Sequence, residues 1–340
     1  MRSAPIGRNM NGIDLKSLVN KLRDYPGLKR KEPIAEVFRQ LVLEGTPGPQ
    51  LPNYGDDAAV IPHGEGYLLM ACDGIMTGLL INEPYAAGKA SVMVTVNDIY
   101  SMGGRPLAMV NVLASGVEGQ RAEVVAGIAK GCRKLGVPMV GGHLHPDAPA
   151  DQPALSVAIL GEAKAVLRSH LAQPGDDLLL AVDLRGRPGC RSVKSWDANS
   201  GKTPQELRER LEIMPLIAEQ GLAQAAKDVS NAGLLGTAAI MMENSGAGAE
   251  IDIAALPRPQ GLTLEDWLLS FMSYGFVLAV APENSAQVLG RFTERGLAAA
   301  VIGRVTAEPV VRLRYQDASE VLFDFSREII TGISCRRDGA

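Results

Sequence analysis

Apolar residues recur at helical spacing near the start of the chain. Leu15, Leu18, Val19 and Leu22 share one face, Asp14 is placed to cap it, and Pro26-Gly27 closes it. A second helix is expected to open at Pro33 and to bury Ile34, Val37, Phe38 and Leu41. The breaker-rich stretch TPGPQLPNYG follows, and then strand-like and helix-like segments alternate. Expected strands are Ala58–Ile61, Tyr67–Cys72, Leu107–Leu113, Pro138–Val140 and Leu155–Leu160, with helices over Ala86–Met102 and Arg121–Leu135. A basic and polar interruption at Ala163–Pro174 divides the chain. Beyond it the pattern predicts strands at Asp177–Leu184, Glu250–Ile253, Gly275–Ala281 and Ala298–Ile302, and a helix over Pro204–Gln220. Strands and helices mixed with hairpin-like turns indicate an α+β class rather than a doubly wound parallel sheet. The expected domains are a helical extension at 1–52, a first domain at 53–165 and a second at 172–340.

Composition narrows the function. The 340 residues carry 34 Lys+Arg against 38 Asp+Glu, a net charge of −4, and only 4% aromatic residues. Neither a basic footprint nor stacking platforms for nucleic acid are present. The longest apolar runs fall far short of the ~20 residues that cross a bilayer, so no membrane association is expected. The opening residues MRSAPIGRNMNG lack the apolar core of a secretory signal. Cys72, Cys132, Cys190 and Cys335 form no CxxC pair and read as reduced thiols of a cytoplasmic protein.

Two motif-like segments carry little. DANSGKT ends like a phosphate-binding loop, but Trp196 stands where the first glycine is needed and no strand directly precedes it. GAGAE at Gly246–Glu250 lacks a third glycine and reads as a turn. The Gly141-Gly142-His143-Leu144-His145-Pro146-Asp147 segment reads as a polar loop after a buried strand. Its two histidines could face one side and hold zinc, yet no third nitrogen or sulfur ligand is evident nearby.

Acids at the ends of apolar elements are more informative. Asp56 and Asp57 precede a strand, Asp73 ends the next apolar run, Asp98 follows Asn97 late in a helix, and Asp228 precedes a helix start. Singly, each also fits a turn or a cap. If they converge, a cation must offset their repulsion, and an oxygen-only donor set favours Mg²⁺ or Mn²⁺ bridging to phosphate.

The ordered set YGDDAAVI, CDGI, AAGKASVMVTVNDIYSMGGRPLAMVNVLA, VGGH, DVSNAGLLGTAAIMMENSGAGAEIDIAALP, SYGFVLAVAPEN and VIGRV resembles the aminoimidazole ribonucleotide (AIR) synthetase superfamily, with thiamine-monophosphate kinase and selenophosphate synthetase as relatives. The resemblance implies a two-domain α+β fold. The sheet of the N-terminal domain would pair with a second subunit in a homodimer, and Mg-ATP would bind between the domains. It implies Asp56, Asp57, Asp73, Asp98 and Asp228 as metal carboxylates. Asn97, Gly141, Gly142 and Gly233 would lie beside the phosphates, and Asp56, Asp228 and His143 near the chemistry. Two departures stand out. His143 occupies a position where thiamine-monophosphate kinase commonly has aspartate, and no cysteine precedes Cys72, whereas selenophosphate synthetase works with a cysteine or selenocysteine on its N-terminal segment. The expected activity is ATP- and Mg-dependent phosphorylation or activation of a small-molecule acceptor. The alternative is a nucleotide-binding partner protein without turnover of its own. The basic run Lys29-Arg30-Lys31 either closes over nucleotide or lies exposed between helices.

Overall fold

The structure, a computed structural model, describes residues 12–41 and 55–334. The side chains of Phe38 and Leu41, the stretch 42–54 and Cys335 lie outside the described residues. The chain forms two compact units. The first comprises Asp57–Val166 and Gly186–Gly221; the second comprises the residues through Asp56, then Leu167–Arg185, and everything from Leu222 onward.

The chain begins in the second unit with α1 (Leu15–Arg23), whose Asp14 carboxylate accepts the Ser17 amide at 3.0 Å. Pro26-Gly27, expected to end structure, instead opens the one-turn helix α2 (Pro26–Lys29), because proline suits a first helical position. Helix α3 (Ile34–Leu41) follows, but Val37, expected in the core, is 53% exposed. Lys29 pairs with Asp24 at 2.8 Å on the surface.

The first unit then unfolds in order: β1 (Ala59–His63), β2 (Gly66–Gly74), α4 (Thr77–Asn82), α5 (Pro84–Ser101), β3 (Arg105–Ala114), α6 (Glu118–Leu135), β4 (Met139–His145) and β5 (Ala154–Ala163). Its sheet runs β1-β2-β5-β3-β4, antiparallel except for the β3–β4 pair that α6 connects. Alternate β5 residues (Leu155, Val157, Ile159) are buried, while Leu160, Met70, Val110 and Val112 are exposed on the other face. Helices α5 and α6 meet at backbone contact. A Cβ on Gly88 would lie 2.0 Å from the Val124 carbonyl, and one on Gly127 would lie 2.1 Å from that of Tyr85. The small-residue character of both helices therefore follows from their approach.

After β6 (Asp177–Val182) in the second unit, the chain returns to the first with β7 (Arg187–Pro188), β8 (Ser195–Asp197), α7 (Pro204–Leu211) and α8 (Ile213–Glu219). The single helix expected over Pro204–Gln220 is thus two, broken at Glu212. Thr203 and Glu206 form a capping box at the α7 start. Arg105 of β3 binds Glu212 and Glu219, which anchors α8.

The remainder is second unit: β9 (Ala225–Asp228), α9 (Gly233–Ser245), β10 (Gly248–Asp252), α10 (Leu264–Leu269), β11 (Phe271–Met272), β12 (Gly275–Val280), α11 (Pro282–Thr293), β13 (Ala298–Thr306), β14 (Val310–Tyr315) and β15 (Ala318–Asp324). Seven strands order as β15-β14-β10-β13-β6-β12-β9. Strand β12, an unbroken apolar run, is buried at every residue. Every residue of α9 is buried too, its Glu243 carboxylate accepting the amides of Ile330, Thr331 and Gly332.

Candidate active site

Of the expected acids, Asp57 and Asp98 come together. Their carboxylate oxygens lie within 4.8 Å of one another; Asp57 is half-buried just before β1, and Asp98 is buried in the last turn of α5. The hydroxyl of Ser101, one turn on, donates to Asp57 Oδ2 at 2.7 Å. A carboxylate in the last turn of a helix faces the negative end of the helix dipole and, here, a second carboxylate, two interactions that each oppose its charge. Two acids and a hydroxyl form a hard-oxygen donor set that fits Mg²⁺. Beside Asp98, Asn97 is 1% exposed, and its side-chain oxygen accepts no hydrogen bond. A buried acceptor left unmatched costs on the order of 1–3 kcal/mol, which a bound donor would recover.

Asp56 is occupied differently. Its side chain is fully buried in the second unit. It accepts from Arg168 Nε at 2.5 Å, from the Ser169 amide at 2.7 Å and from the Ser169 hydroxyl at 2.8 Å, and His170 stands 3.8 Å away. Burial pushes its pKa up, but His170, Arg168 and Ser169 outweigh burial and hold it below the ordinary value. With its oxygens held by protein donors, Asp56 is a structural anchor. The GDD doublet thus points its two acids to different tasks, which its spelling does not reveal.

Asp73 lies in β2 and is not among the acids whose carboxylate oxygens gather within 4.8 Å of one another. Asp228 is buried at the end of β9 in the second unit. Gly233 is buried too, and a Cβ there would meet the Leu268 carbonyl at 2.5 Å, so close packing accounts for this glycine.

Gly141, Gly142 and His143 were expected in a loop but lie in β4, exposed along a sheet edge. Pairing with β3 extends the strand through His145, because two glycines do not prevent a ladder when a neighbour supplies the partners. A Cβ on Gly142 would lie 2.6 Å from the Asn111 carbonyl, a packing reason for that glycine. Strand β4 is four strands from β1, a distance of roughly 19 Å, so within one unit these residues are not beside the Asp57–Asp98 pair. The His143 and His145 rings are 4.6 Å apart, and no third nitrogen or sulfur ligand joins them among the described residues. Cys72, Cys132 and Cys190 are free thiols, each pushed up in pKa by burial.

No helix among the described residues is long and apolar enough to cross a membrane.

Comparison with known proteins divides the chain in sequence, with Gly186–Gly221 of the first unit falling inside the C-terminal match. Residues 55–163 match the family described as AIR synthase related protein, N-terminal domain, and residues 175–316 match its C-terminal domain. The chain is 37% identical over 324 residues to the protein sll0787 of Synechocystis sp., covering 94% of this chain and 99% of that one. It is 36% identical over 325 residues to the protein MJ0640 of Methanocaldococcus jannaschii, covering 94% and 100%. Among solved structures, phosphoribosylformylglycinamidine synthase II of Thermotoga maritima superimposes with a TM-score of 0.75 at 18% identity, over 96% of this chain and 53% of that one. A T. maritima PurL complexed with ATP gives 0.69 at 20% identity, over 83% and 47%. The chain therefore spans about half the length of these PurL structures. A ThiL complexed with AMPPCP and TMP gives 0.64 at 19% identity, over 85% and 96%.

Proposed function

Because the chain belongs to the AIR synthase-related family, we propose that it is an ATP-dependent enzyme that phosphorylates or activates a small-molecule acceptor with Mg²⁺ held by Asp57 and Asp98. The observation that carries this reading is the convergence of these two carboxylates at the end of a buried helix, where the helix dipole opposes their charge. Bound magnesium would supply charge neutralisation at phosphate oxygens. The chain's own part is positioning. The α5–α6 backbone contact fixes the helix that carries Asp98, Ser101 donates to an Asp57 oxygen, and the Asn97 amide offers an unmatched acceptor. Support from relatives is that solved structures of the same fold carry ATP (a PurL) or AMPPCP and TMP (a ThiL).

The proposal includes a homodimer through the exposed face of the five-stranded sheet. Met70, Val110, Val112 and Leu160 would otherwise leave a contiguous apolar surface in water. The test is ATP consumption by the purified protein with Mg²⁺ against a pool of small metabolites, beside ATP binding measured with and without chelator. Mg-dependent binding with acceptor-dependent turnover supports the enzyme reading. Binding without turnover under every condition supports a nucleotide-binding partner protein instead.

A further inference from the structure

The segment Asp197–Thr203, whose spelling ends like a phosphate-binding loop, proves to be the focus of a lysine cluster in the first unit. Asp197 Oδ1 accepts the amides of Asn199 and Ser200, each at 2.9 Å, and so closes the loop on itself. Three ammonium groups, two from helices and one from the loop itself, reach the same four residues. Lys89 of α5 donates to the Ser200 hydroxyl at 2.7 Å and lies 3.5 Å from Asp197 Oδ2. Lys134 of α6 donates to the Asn199 carbonyl at 2.5 Å, and Lys202 donates to the Ala198 carbonyl at 2.6 Å. Lys130, one helical turn before Lys134 and therefore on the same face of α6, is exposed.

Lys134 bonds to a neutral carbonyl, which satisfies a donor without offsetting its charge. Burial pushes the Lys134 pKa down, and Lys89, Lys130 and Lys202 push it further, with Asp197 the one acid acting against them. Glu206 reaches Lys202 electrostatically, but its carboxylate is engaged by the Thr203 amide and hydroxyl. Lys89, Lys134 and Lys202 are half-buried and held in place, so an anion arriving here would not have to order them first.

We propose that Lys89, Lys130, Lys134 and Lys202 form a binding site for the phosphate group of a small molecule, independent of metal. The site goes beyond the ATP and magnesium reading and does not use its residues. Lys89 and Asp98 lie nine residues apart on α5, about 13 Å along the axis and on opposite faces. A phosphate dianion is the ligand that fits, because its three outer oxygens accept from several ammonium groups at once and its charge offsets more than one of them.

The test is calorimetric titration of the full chain in chelator at low salt with orthophosphate, pyrophosphate and glycerol 3-phosphate, each separately. The expected result is saturable binding of at least one of them at one site per chain. Lys130→Ala, which removes an exposed side chain, should weaken that binding at least threefold without moving the melting temperature of the free protein. Lys202→Met should weaken it at least tenfold, and Asp98→Asn should leave it unchanged. Tighter binding of glycerol 3-phosphate than of orthophosphate identifies a phosphomonoester as the ligand; the reverse identifies free phosphate. The proposal is overturned by absence of saturable binding of all three compounds to the wild type. Unchanged affinity in both lysine variants overturns it equally, and loss of binding in Asp98→Asn would assign the anion to the metal site.

Discussion

Replacing Asp98 by asparagine separates a metal ligand from a structural acid. Two full charges within 4.8 Å of each other repel by at least about 3.5 kcal/mol at an effective dielectric of roughly 20. Water at the half-buried Asp57 reduces this, and on the order of 1–2 kcal/mol remains as the cost of the pair in the metal-free protein. The near-isosteric amide removes that cost together with the unfavourable helix-end position, so the metal-free variant should melt about 1–3 °C higher than the wild type. In the wild type, Mg-ATP at about a hundred times its Kd should add roughly 2.7 kcal/mol, a rise of about 4 °C for a chain of this length. The variant should lose most of that rise, because a neutral amide is a poor ligand for a hard cation. Scanning calorimetry on both proteins, with Mg-ATP and with ATP in excess chelator, reads all four states. A variant that melts lower without metal and keeps the full Mg-ATP shift would refute the reasoning.

Gly127→Ala should destabilise by more than about 2 kcal/mol in urea unfolding, since its Cβ would lie 2.1 Å from the Tyr85 carbonyl on a helix that cannot yield without moving the α5–α6 pair. Arg168→Met should cost about 3–5 kcal/mol by leaving the Asp56 carboxylate buried without its cation, whereas an equivalent loss at the exposed Lys29–Asp24 pair should be near zero by the same melt. Because the Asp56 pKa is held down in the fold, its contribution is fully present above the unfolded value near 3.8 and is lost as pH falls through the lower folded value. Acid unfolding followed by circular dichroism should therefore show Arg168→Met less sensitive to pH below about 4 than the wild type. Val112→Lys, on the open sheet face, should convert a dimer to a monomer by light scattering at micromolar concentration; a wild type that already runs as a monomer would remove the dimer from the proposal.

The elements legible in the sequence are those whose own residues carry a full period. The α1 stripe of Leu15, Leu18, Val19 and Leu22 is buried as its spacing requires, and the alternation of β5 matches its two faces. Where neighbours decide, local pattern falls short. Gly141-Gly142-His143 reads as a loop because glycines lack strand propensity, yet β3 supplies a ladder that makes them a strand. The short strand β9 has four residues and no flanking signal, so only its pairing with β12 defines it. At Pro26-Gly27, two residues that stop one helix also start the next, and no local rule separates the two outcomes.

The amino-acid order by itself determined the α+β class, the family, and the set of acids from which a site could be built, because those depend on residue type, spacing and order. Which acids meet was decided only in three dimensions. Asp56 and Asp57 are neighbours in the chain, but one is drawn into the second unit by Arg168 and Ser169, while the other turns to Asp98, 41 positions on. The lysine cluster is the same case. Lys89, Lys130, Lys134 and Lys202 are scattered over more than a hundred residues and look like ordinary surface charge, until the close α5–α6 contact and the Asp197 loop bring them to one place. Carboxylates and ammonium groups carry no periodic signal of their own, so their convergence follows from apolar packing elsewhere in the fold.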